Sequence, residues 1–318
     1  MIAANRCLGA LLGLAAGDAL GTTLEFKRPG TFEPLTDMLG GGPFGLAPGQ
    51  WTDDTSMALC LAESLVTCGG FDARDQMERY VRWYRHGHWS ATGSCFDIGI
   101  TTSTALAAFE QTGEPLSGST DADTAGNGSL MRLAPVPIAF AADPARAIEL
   151  AGESSRTTHG AAECVAACRY FGGLIVGALH GTDKSELLAP SYSPVPQARD
   201  RQSSSSQVAA IAAGSFKRKT PPEIRGGGYV IDSLEAALWA FATTSSFEAG
   251  ALAAVNLGDD ADTTGAVYGQ IAGAYYGADS IPRGWLGKLA MREEIEELAA
   301  GLMAMQSGAE RVTGMFSS

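Results

Sequence analysis

Acidic and hydroxyl side chains are crowded into the segment Asn256-Leu257-Gly258-Asp259-Asp260-Ala261-Asp262-Thr263-Thr264-Gly265. Three carboxylates and two hydroxyls fall within the six positions 259–264. A second acidic cluster, Trp51-Thr52-Asp53-Asp54-Thr55, lies far away in sequence. Each cluster comes just before a long segment of small and apolar residues with helical character, so each is predicted to lie where a loop becomes a helix. We expect the two clusters to converge and the rest of the chain to be arranged around them.

The chemistry of the two clusters indicates a metal site. Neighbouring aspartates repel one another, and crowding them without a cation raises at least one pKa or loosens the loop. A hard divalent cation removes that conflict, and a ligand set made only of oxygen atoms selects Mg²⁺, Mn²⁺ or Ca²⁺ over Zn²⁺. Two clusters this rich in oxygen could hold two ions about 3.5–4 Å apart.

Three other interpretations of the acidic segment compete with a metal site. An acidic cluster before a helix can serve only as an N-cap that matches the helix dipole, which explains one cluster better than two. The order Asp260, Asp262, Thr264 also opens a calcium-binding EF-hand loop, but the twelfth position is Ile271 and not the bidentate Glu, which excludes that motif. The same order has the form of the haloacid-dehalogenase phosphatase loop. That loop should follow a buried strand near the start of an α/β domain, whereas this one lies near the end of a chain with few strand-like segments.

Length, charge and hydropathy bound the class of protein. With 318 residues and a mass of 32.9 kDa, the chain is long enough for one large domain or two ordinary ones. Its net charge of −13 argues against nucleic acid as a partner, because proteins that bind nucleic acid usually present a basic face. No run reaches the roughly 18–20 apolar residues that a membrane span needs, and Asp18 interrupts the apolar N-terminal segment that resembles a signal peptide. We therefore expect neither a secretion signal nor a membrane span.

Six cysteines are spread along the chain without a CxxC pair and without the density of a disulfide scaffold. Several fall among apolar neighbours in helical patterns, which indicates buried thiols in a reducing compartment. We therefore expect the protein to be cytoplasmic. The cysteines are Cys7, Cys60, Cys68, Cys95, Cys164 and Cys168.

Helical spacing dominates the sequence, and no period-2 strand pattern alternates with it, which favours an all-α fold. Asp72 is predicted to cap one helix, and Asp143-Pro144 to start another, because proline suits the first turn. The segment 181–228 is rich in Ser, Pro and scattered charge, and we interpret it as an excursion with one short helix at about 208–213. Further helices are predicted over residues 6–20, 55–66, 101–111, 161–179, 229–243, 263–276 and 282–305.

A glycine-rich segment, Ala125-Gly126-Asn127-Gly128-Ser129-Leu130-Met131-Arg132, lies in the middle of the chain. Backbone amides freed of Cβ crowding just before a helix form a site for an anion. Gly-Asn-Gly more often marks a tight turn, so this segment alone leaves both interpretations open. His159, near a predicted helix end, is likewise more often a cap or a core hydrogen-bonding residue than a catalyst.

Considered as a set, these segments resemble the ADP-ribosylglycohydrolase family. They are nearest to the bacterial branch that removes ADP-ribose from arginine, typified by the dinitrogenase-reductase-activating glycohydrolase. The resemblance spans the single domain 1–318 nearly end to end and implies an all-α orthogonal helical bundle with two divalent cations, Mg²⁺ or Mn²⁺, in a cleft. The seven matching segments are Gly17-Asp18-Ala19-Leu20-Gly21 with Glu25, Trp51-Thr52-Asp53-Asp54-Thr55, Ser94-Cys95-Phe96-Asp97-Ile98-Gly99, Gly126-Asn127-Gly128-Ser129-Leu130-Met131-Arg132, Thr158-His159-Gly160, Gly227-Gly228-Tyr229-Val230 and Gly258-Asp259-Asp260-Ala261-Asp262-Thr263.

The resemblance also implies roles for single residues. Asp97 would face the guanidinium or act on protons at the glycosidic nitrogen, Glu25 would have a secondary acid–base or metal-linked role, and Asp54 would complete the catalytic set. The metal ligands would be Thr52, Asp53, Asp54, Asp260, Asp262 and Thr263. The substrate contacts would be Gly126, Asn127, Gly128 and Ser129 with the phosphates, His159 with the ribose or phosphate region, and Tyr229 on the adenosine side. The long 181–228 excursion before Tyr229 departs from the family pattern.

We therefore expect a hydrolase that releases ADP-ribose from an ADP-ribosylated protein by cleaving the N-glycosidic bond to arginine. Breaking that bond builds positive charge on the ribose C1″, and the departing guanidine needs a proton. Carboxylates can stabilise the charge and transfer the proton. Two metal ions can fix the ribose diol and hold a water molecule for attack. The alternatives are a hydrolase for another linkage, to serine or in O-acetyl-ADP-ribose, and a family member that binds ADP-ribose without catalysis. The filled ligand positions argue against the last. We expect a monomer.

Overall fold

Two helices rich in glycine pack with their backbones in contact. Glycine recurs at every fourth position on α1 (Ala4–Gly21) and on α12 (Ala261–Tyr276), so it forms one face of each helix. A methyl group at Gly13 would overlap the carbonyl oxygen of Gly269, and a methyl group at Gly269 would overlap that of Gly13. This close approach requires glycine, and it places the C-terminal end of α1 directly against the first turn of α12.

The computed structural model describes residues 3–195 and 205–313, and these ranges contain helices and loops but no β-strand. One large cluster of buried apolar side chains extends through the described helices. The prediction of an all-α, single-domain fold is confirmed. In chain order the α-helices are α1 (Ala4–Gly21), α2 (Asp53–Cys68), α3 (Ala73–His86), α4 (Ile100–Thr112), α5 (Pro135–Ala139), α6 (Pro144–Arg156), α7 (Ala162–Leu179), α8 (Lys184–Leu187), α9 (Ser206–Ala212), α10 (Val230–Thr243), α11 (Phe247–Val255), α12 (Ala261–Tyr276), α13 (Arg283–Lys288) and α14 (Arg292–Thr313).

The helix α2 begins earlier than predicted. The sequence suggests a cap at position 55 or 56, whereas the helix starts at Asp53 with Thr52 as its N-cap. A side chain distant in sequence explains the difference. The Asp18 carboxylate accepts hydrogen bonds from the backbone amides of Thr52 (2.9 Å) and Thr55 (3.0 Å), a role that a local capping side chain usually fills. Two acidic residues thereby become part of the first turn of α2.

The C-terminal part of the chain also differs from prediction. Instead of one helix over 282–305, the chain forms α13 and then α14, separated by a break in which Met291 adopts a φ of 49°. The helix α11 is absent from the sequence-based prediction. It is nine residues long, and Ser246 caps it by accepting a hydrogen bond from the amide of Ala249.

The 181–228 segment contains the short helix α9, where one was predicted at about 208–213, and also the short helix α8, which was not predicted. Residues 196–204 lie outside the described ranges. Lys219, near the end of the segment, forms an ion pair with Glu235 of α10 at 2.7 Å. The described part of the excursion is therefore anchored to the helical core.

The helices α1 and α7 are apolar along most of their length. By length and composition, residues 4–24 and 162–179 could each cross a membrane, contrary to the expectation that no segment would meet that test. Within the protein, 89% and 78% of these two segments are buried, as in core helices. The absence of a membrane span stays a prediction.

All six cysteines are free thiols. Four of them are buried, as predicted, whereas Cys68 is exposed and Cys95 is partly exposed.

Candidate active site

A cleft of about 520 Å³ lies between the acidic clusters and the glycine-rich segment. This volume falls within the range of roughly 300–1,000 Å³ that is usual for ligand pockets. The predicted site residues in its lining are Glu25, Asp53, Asp97, Gly126, Asn127, Gly128, His159, Asp260, Asp262 and Thr263. Those outside the lining are Thr52, Asp54, Ser129 and Tyr229.

The two acidic clusters meet, as predicted. The hydroxyl of Thr52 lies 3.3 Å from Asp54 Oδ2 and 3.1 Å from Asp262 Oδ2, so it connects the clusters. The Thr263 hydroxyl donates across the same boundary to Asp54 Oδ2 at 3.4 Å. Thr52 and Asp54 are buried behind the cleft surface. The first turns of α2 and α12 thus face each other, and a helix N-terminus favours negative charge.

Asp18 organises this junction. In the sequence it is marked only as an interruption of an apolar segment. Its buried carboxylate accepts four hydrogen bonds of 2.6–3.0 Å, from the amide and hydroxyl of Thr52 on Oδ1 and from those of Thr55 on Oδ2. Burial raises the pKa of Asp18 to about 6, while the bonds from Thr55 and Thr52 limit the rise. Asp18 therefore holds both the start of α2 and the direction of the Thr52 hydroxyl.

Glu25 and Asp97 reach the cleft from two separate loops. One carboxylate oxygen from each of Glu25, Asp97 and Asp262 lies within 4.8 Å of the other two. Glu25 Oε2 also accepts a hydrogen bond of 2.9 Å from the amide of Ala261, at the start of α12. Asp97 adopts a φ of 61°, a left-handed conformation that is uncommon outside glycine and tends to occur at functional positions.

Burial and mutual repulsion shift the titration of these acids. Burial raises the pKa of Glu25 to about 8 and that of Asp97 to about 6, and the nearby Asp260 charge adds to both shifts. The pKa values of Asp54 and Asp262 are raised first by burial and then by neighbouring carboxylates. Without a cation these groups are therefore protonated more readily than ordinary carboxyl groups, which is the conflict expected from the sequence.

We call the place where Thr52, Asp54 and Asp262 meet the acidic junction. Its ligand atoms fit a hard divalent cation. Asp54 Oδ1 is buried and has no hydrogen-bond partner within residues 3–195 and 205–313, although leaving a buried carboxylate oxygen unsatisfied is costly. A cation beside that oxygen would satisfy it and would favour the ionised form of the surrounding carboxyl groups. The surrounding side-chain donors are carboxylate and hydroxyl oxygens, the ligand type of Mg²⁺ and Mn²⁺.

The glycine-rich segment forms a turn. Its predicted position just before a helix is wrong, because α5 begins several residues further on, at Pro135. The amide of Asn127 donates to the carbonyl oxygen of Gly228 at 3.1 Å, and its side chain donates to Asp260 Oδ2 at 2.8 Å. Asn127 therefore ties the turn to the second acidic cluster.

Ser129 and Tyr229 lie apart from the cleft lining. The Ser129 side chain is buried, and its oxygen accepts a hydrogen bond of 2.8 Å from the Ser155 hydroxyl. Tyr229 is 37% exposed and forms an antiparallel backbone bridge with Gly126. Tyr229 is thus a neighbour of the glycine turn, while the Ser129 hydroxyl points into the core.

Two parts of the cleft lining were not among the predicted site residues. Residues 98–102, which include the first turn of α4, form part of its lining. Phe26 also lines the cleft, with a side chain that is 67% exposed and a φ of 60°. Its ring packs edge-on against Phe44, with 6.2 Å between centroids. The sequence signal for Phe26 is its position directly after Glu25.

Comparison with known proteins places this geometry in a family. The sequence profile described as ADP-ribosylglycohydrolase matches residues 2–311. The ADP-ribosylarginine hydrolase Tri1 of Serratia proteamaculans (strain 568) is 46% identical over 301 residues, which cover 95% of this chain and 80% of that protein. The ADP-ribosyl-[dinitrogen reductase] glycohydrolase of Rhodospirillum rubrum is 34% identical over 296 residues, which cover 92% of each chain.

A solved structure gives the same assignment. The structure described as an ADP-ribosylglycohydrolase-related protein complex matches this chain with a TM-score of 0.84 and 46% sequence identity. The match covers 95% of this chain and 98% of that one. Because profile, sequence and fold agree over nearly the whole length, the chain belongs to the ADP-ribosylglycohydrolase family.

Proposed function

We propose that this protein hydrolyses the N-glycosidic bond between ADP-ribose and arginine in ADP-ribosylated proteins and releases ADP-ribose. The observation that carries the proposal is that carboxylate oxygens of Glu25, Asp97 and Asp262 lie within 4.8 Å of one another. They lie in a cleft that also contains the glycine turn. The acids suit a cationic guanidinium and the positive charge that builds on C1″. Two relatives that are 46% identical to this chain, from Serratia proteamaculans and Pseudomonas putida (strain GB-1), are named ADP-ribosylarginine hydrolase Tri1, which supports the same linkage.

The proposal includes two cations, Mg²⁺ or Mn²⁺, in the acidic junction. When bound, such ions orient the ribose hydroxyls and lower the pKa of a water molecule. The unsatisfied Asp54 Oδ1 and the repulsion among the buried carboxyl groups support this site. The proposed ligands are Thr52, Asp53, Asp54, Asp260, Asp262 and Thr263.

The chain's own carboxyl groups can handle the protons of the reaction. Hydrolysis breaks the bond between C1″ and the guanidino nitrogen, attaches the hydroxyl of water to C1″, and transfers the remaining proton to the departing nitrogen. We assign Asp97 to the arginine side, where its carboxyl group lines the cleft and can hold or release a proton. Glu25, which lines the same cleft, has the secondary acid–base role. Both carboxylates can also stabilise positive charge on C1″.

We also propose that the protein is a cytoplasmic monomer and that it does not bind nucleic acid. The six free thiols support the cytoplasmic location. The net charge of −13 supports the proposal that nucleic acid is not a partner. Light scattering of the purified protein would test the monomer, since a stable mass of twice 32.9 kDa would contradict it.

The test of the function compares release of ADP-ribose from arginine-linked and serine-linked peptides in the presence of Mg²⁺ or Mn²⁺. Asp260→Asn should slow release from the arginine-linked peptide by about 100-fold or more, since removing a metal-site group costs at least that order of activity. Asp259→Asn is the matched control. The Asp259 side chain makes no hydrogen bond within the described ranges and lies outside the cleft lining, and asparagine tolerates its φ of 57°.

Two results would contradict the proposed function. One is failure of the wild-type protein to release ADP-ribose from the arginine-linked peptide. The other is faster release from the serine-linked peptide, which would assign the same cleft to another linkage.

A further inference from the structure

Arg132 is fully buried behind the glycine turn, and no carboxylate in the described part of the chain forms an ion pair with it. Its side chain takes part in none of the ion pairs formed within residues 3–195 and 205–313. The guanidinium donates to the carbonyl oxygen of Gly128 at 3.1 Å and to Thr158 Oγ1 at 2.7 Å, and it lies 4.5 Å from the centroid of the Tyr80 ring. Because arginine stays charged in proteins, this is a buried cation without an anionic partner among the described residues.

The bond from Arg132 determines where the His159 ring carries its proton. A guanidinium can only donate, so Thr158 Oγ1 is the acceptor of that bond. The other partner of this hydroxyl is His159 Nδ1, at 2.8 Å. If Nδ1 carried the proton and donated to Thr158 Oγ1 as well, the hydroxyl proton of this buried side chain would have no acceptor among the described residues, which is costly. The arrangement therefore favours a hydroxyl that donates to Nδ1 and a neutral ring with its proton on Nε2.

The His159 ring is neutral over the physiological range. Burial, and then the Arg132 charge, lower the pKa of His159 to about 3. A histidine in this state offers one N–H donor and no positive charge. The nearby positive charge belongs to Arg132 instead.

Nε2 of His159 lies at the cleft wall beside the glycine turn. A Cβ added to Gly128 would lie 3.2 Å from Nε2 and 2.8 Å from Cε1, so the ring occupies the space that glycine leaves open. Nε2 makes no hydrogen bond to any described residue, and neither do the backbone amides of Gly128 and Ser129. Three N–H donors at or next to the cleft wall thus lack a protein acceptor in the described ranges.

We infer that Arg132 and Thr158 are positioning residues that present His159 as an Nε2–H donor to the diphosphate of ADP-ribose, with the Arg132 guanidinium as the buried counter-charge to that anion. The inference rests on the proposed function, whose substrate carries a diphosphate, and on the cleft that contains both the glycine turn and His159. Arg132 acts one layer away from the ligand, through the carbonyl of Gly128 and through Thr158. A diphosphate would provide the acceptors that the three N–H groups lack and the negative charge that Arg132 lacks.

The tautomer of His159 is measured directly by ¹⁵N NMR of histidine-labelled protein. The chain has four histidines, so His159→Gln identifies the His159 signals. We expect an unprotonated Nδ1 and a protonated Nε2 near neutral pH in the wild-type protein. A purely structural Arg132 would not require this tautomer.

Thr158→Val removes the hydroxyl with little change in volume. It should allow both tautomers and weaken ADP-ribose binding about tenfold, the value of one well-placed hydrogen bond, in calorimetric titrations with Mg²⁺ present. The loss should appear in KM and not in kcat, and Thr158→Ser should restore both tautomer and affinity. Thr157→Val is the matched control, because Thr157 Oγ1 accepts from the same guanidinium at 3.3 Å but does not bond to His159. It should keep the wild-type tautomer.

Three results would overturn the inference: an Nδ1-protonated His159 in the wild type, unchanged ADP-ribose affinity in Thr158→Val, or an equal tautomer change in Thr157→Val. A wild-type protein that binds ADP-ribose with the expected tautomer but does not cleave the arginine-linked peptide would contradict the proposed function alone. A wild-type protein that does not bind ADP-ribose would contradict both.

Discussion

An alanine at position 21 would place its Cβ 2.5 Å from the backbone nitrogen of Asp262, in the first turn of α12. Cβ atoms in proteins essentially never approach a non-bonded heavy atom closer than 3.0 Å. Gly21→Ala must therefore move the end of α1 and the start of α12 apart by at least about 0.5 Å, which equals the precision that a working site needs. Relief cannot come from a flexible side chain, because the atoms in contact belong to the backbone.

The shift has two measurable consequences. Overpacking of this kind should lower the free energy of unfolding by about 1–3 kcal/mol. Separating Asp262 from the first turn of α2 should also lower Mn²⁺ affinity and reduce kcat/KM on an ADP-ribosyl-arginine peptide by about tenfold or more, since a misplacement of about 1 Å can cost about 100-fold.

Two glycine variants serve as controls. Gly9→Ala creates a similar clash at the other end of the helix pair, 2.7 Å from the amide nitrogen of Ala278 and about 18 Å along α1 from Gly21. It should reduce stability to a similar extent and leave Mn²⁺ affinity and kcat/KM unchanged. Gly284→Ala, in α13, meets no atom within 4 Å and should raise stability by about 0.5–1 kcal/mol.

The four proteins would be compared by calorimetric Mn²⁺ titration, steady-state kinetics and urea denaturation. Wild-type activity in Gly21→Ala would refute the reasoning. An equal loss of activity in Gly9→Ala would also refute it. Activity would then not depend specifically on the spacing between the end of α1 and the start of α12.

Two further predictions follow from buried polar groups. Asp18→Ala removes the acceptor of four hydrogen bonds, each worth about 1 kcal/mol, and it also relieves some carboxylate repulsion. The free energy of unfolding should therefore fall by about 2–4 kcal/mol. An unchanged urea midpoint would contradict the role of Asp18. His159 has a pKa lowered from 6.5 to about 3 in the folded chain, so the unfolded chain binds its proton first and stability is lost as pH falls below 6.5. Between pH 6.5 and pH 5, wild type should therefore lose about 1.7 kcal/mol more than His159→Gln. Parallel stability curves for the two proteins would rule this out.

Much of the fold was accessible from local signals. The caps Asp72 and Asp143 mark the starts of α3 and α6, because the Asp72 carboxylate accepts two hydrogen bonds and the Asp143 carboxylate one from amides in the first turn that follows. The lack of a period-2 pattern correctly excluded strands from the described part of the chain. The convergence of two acidic segments could also be predicted, because the repulsion of crowded carboxylates indicates a shared cation.

The features that escaped prediction depend on contacts between distant segments. Asp18 is only an interruption of an apolar segment until folding brings it to Thr52 and Thr55, and this contact also moves the start of α2. The four-residue glycine spacing in α1 and α12 is visible in the sequence, but its partner surface is not. Arg132 is the last residue of a glycine-rich motif, and its lack of an ion pair in the described ranges becomes evident only from the packing around it.

The central claim is that two acidic segments hold a pair of cations at the start of α2 and of α12. The most direct measurement is anomalous scattering from a crystal grown with Mn²⁺. We expect two Mn²⁺ peaks about 3.5–4 Å apart, within bonding distance of Asp54 and Asp262, and loss of both in Asp54→Ala. An acidic junction without Mn²⁺ peaks, or peaks only elsewhere on the protein, would contradict the account.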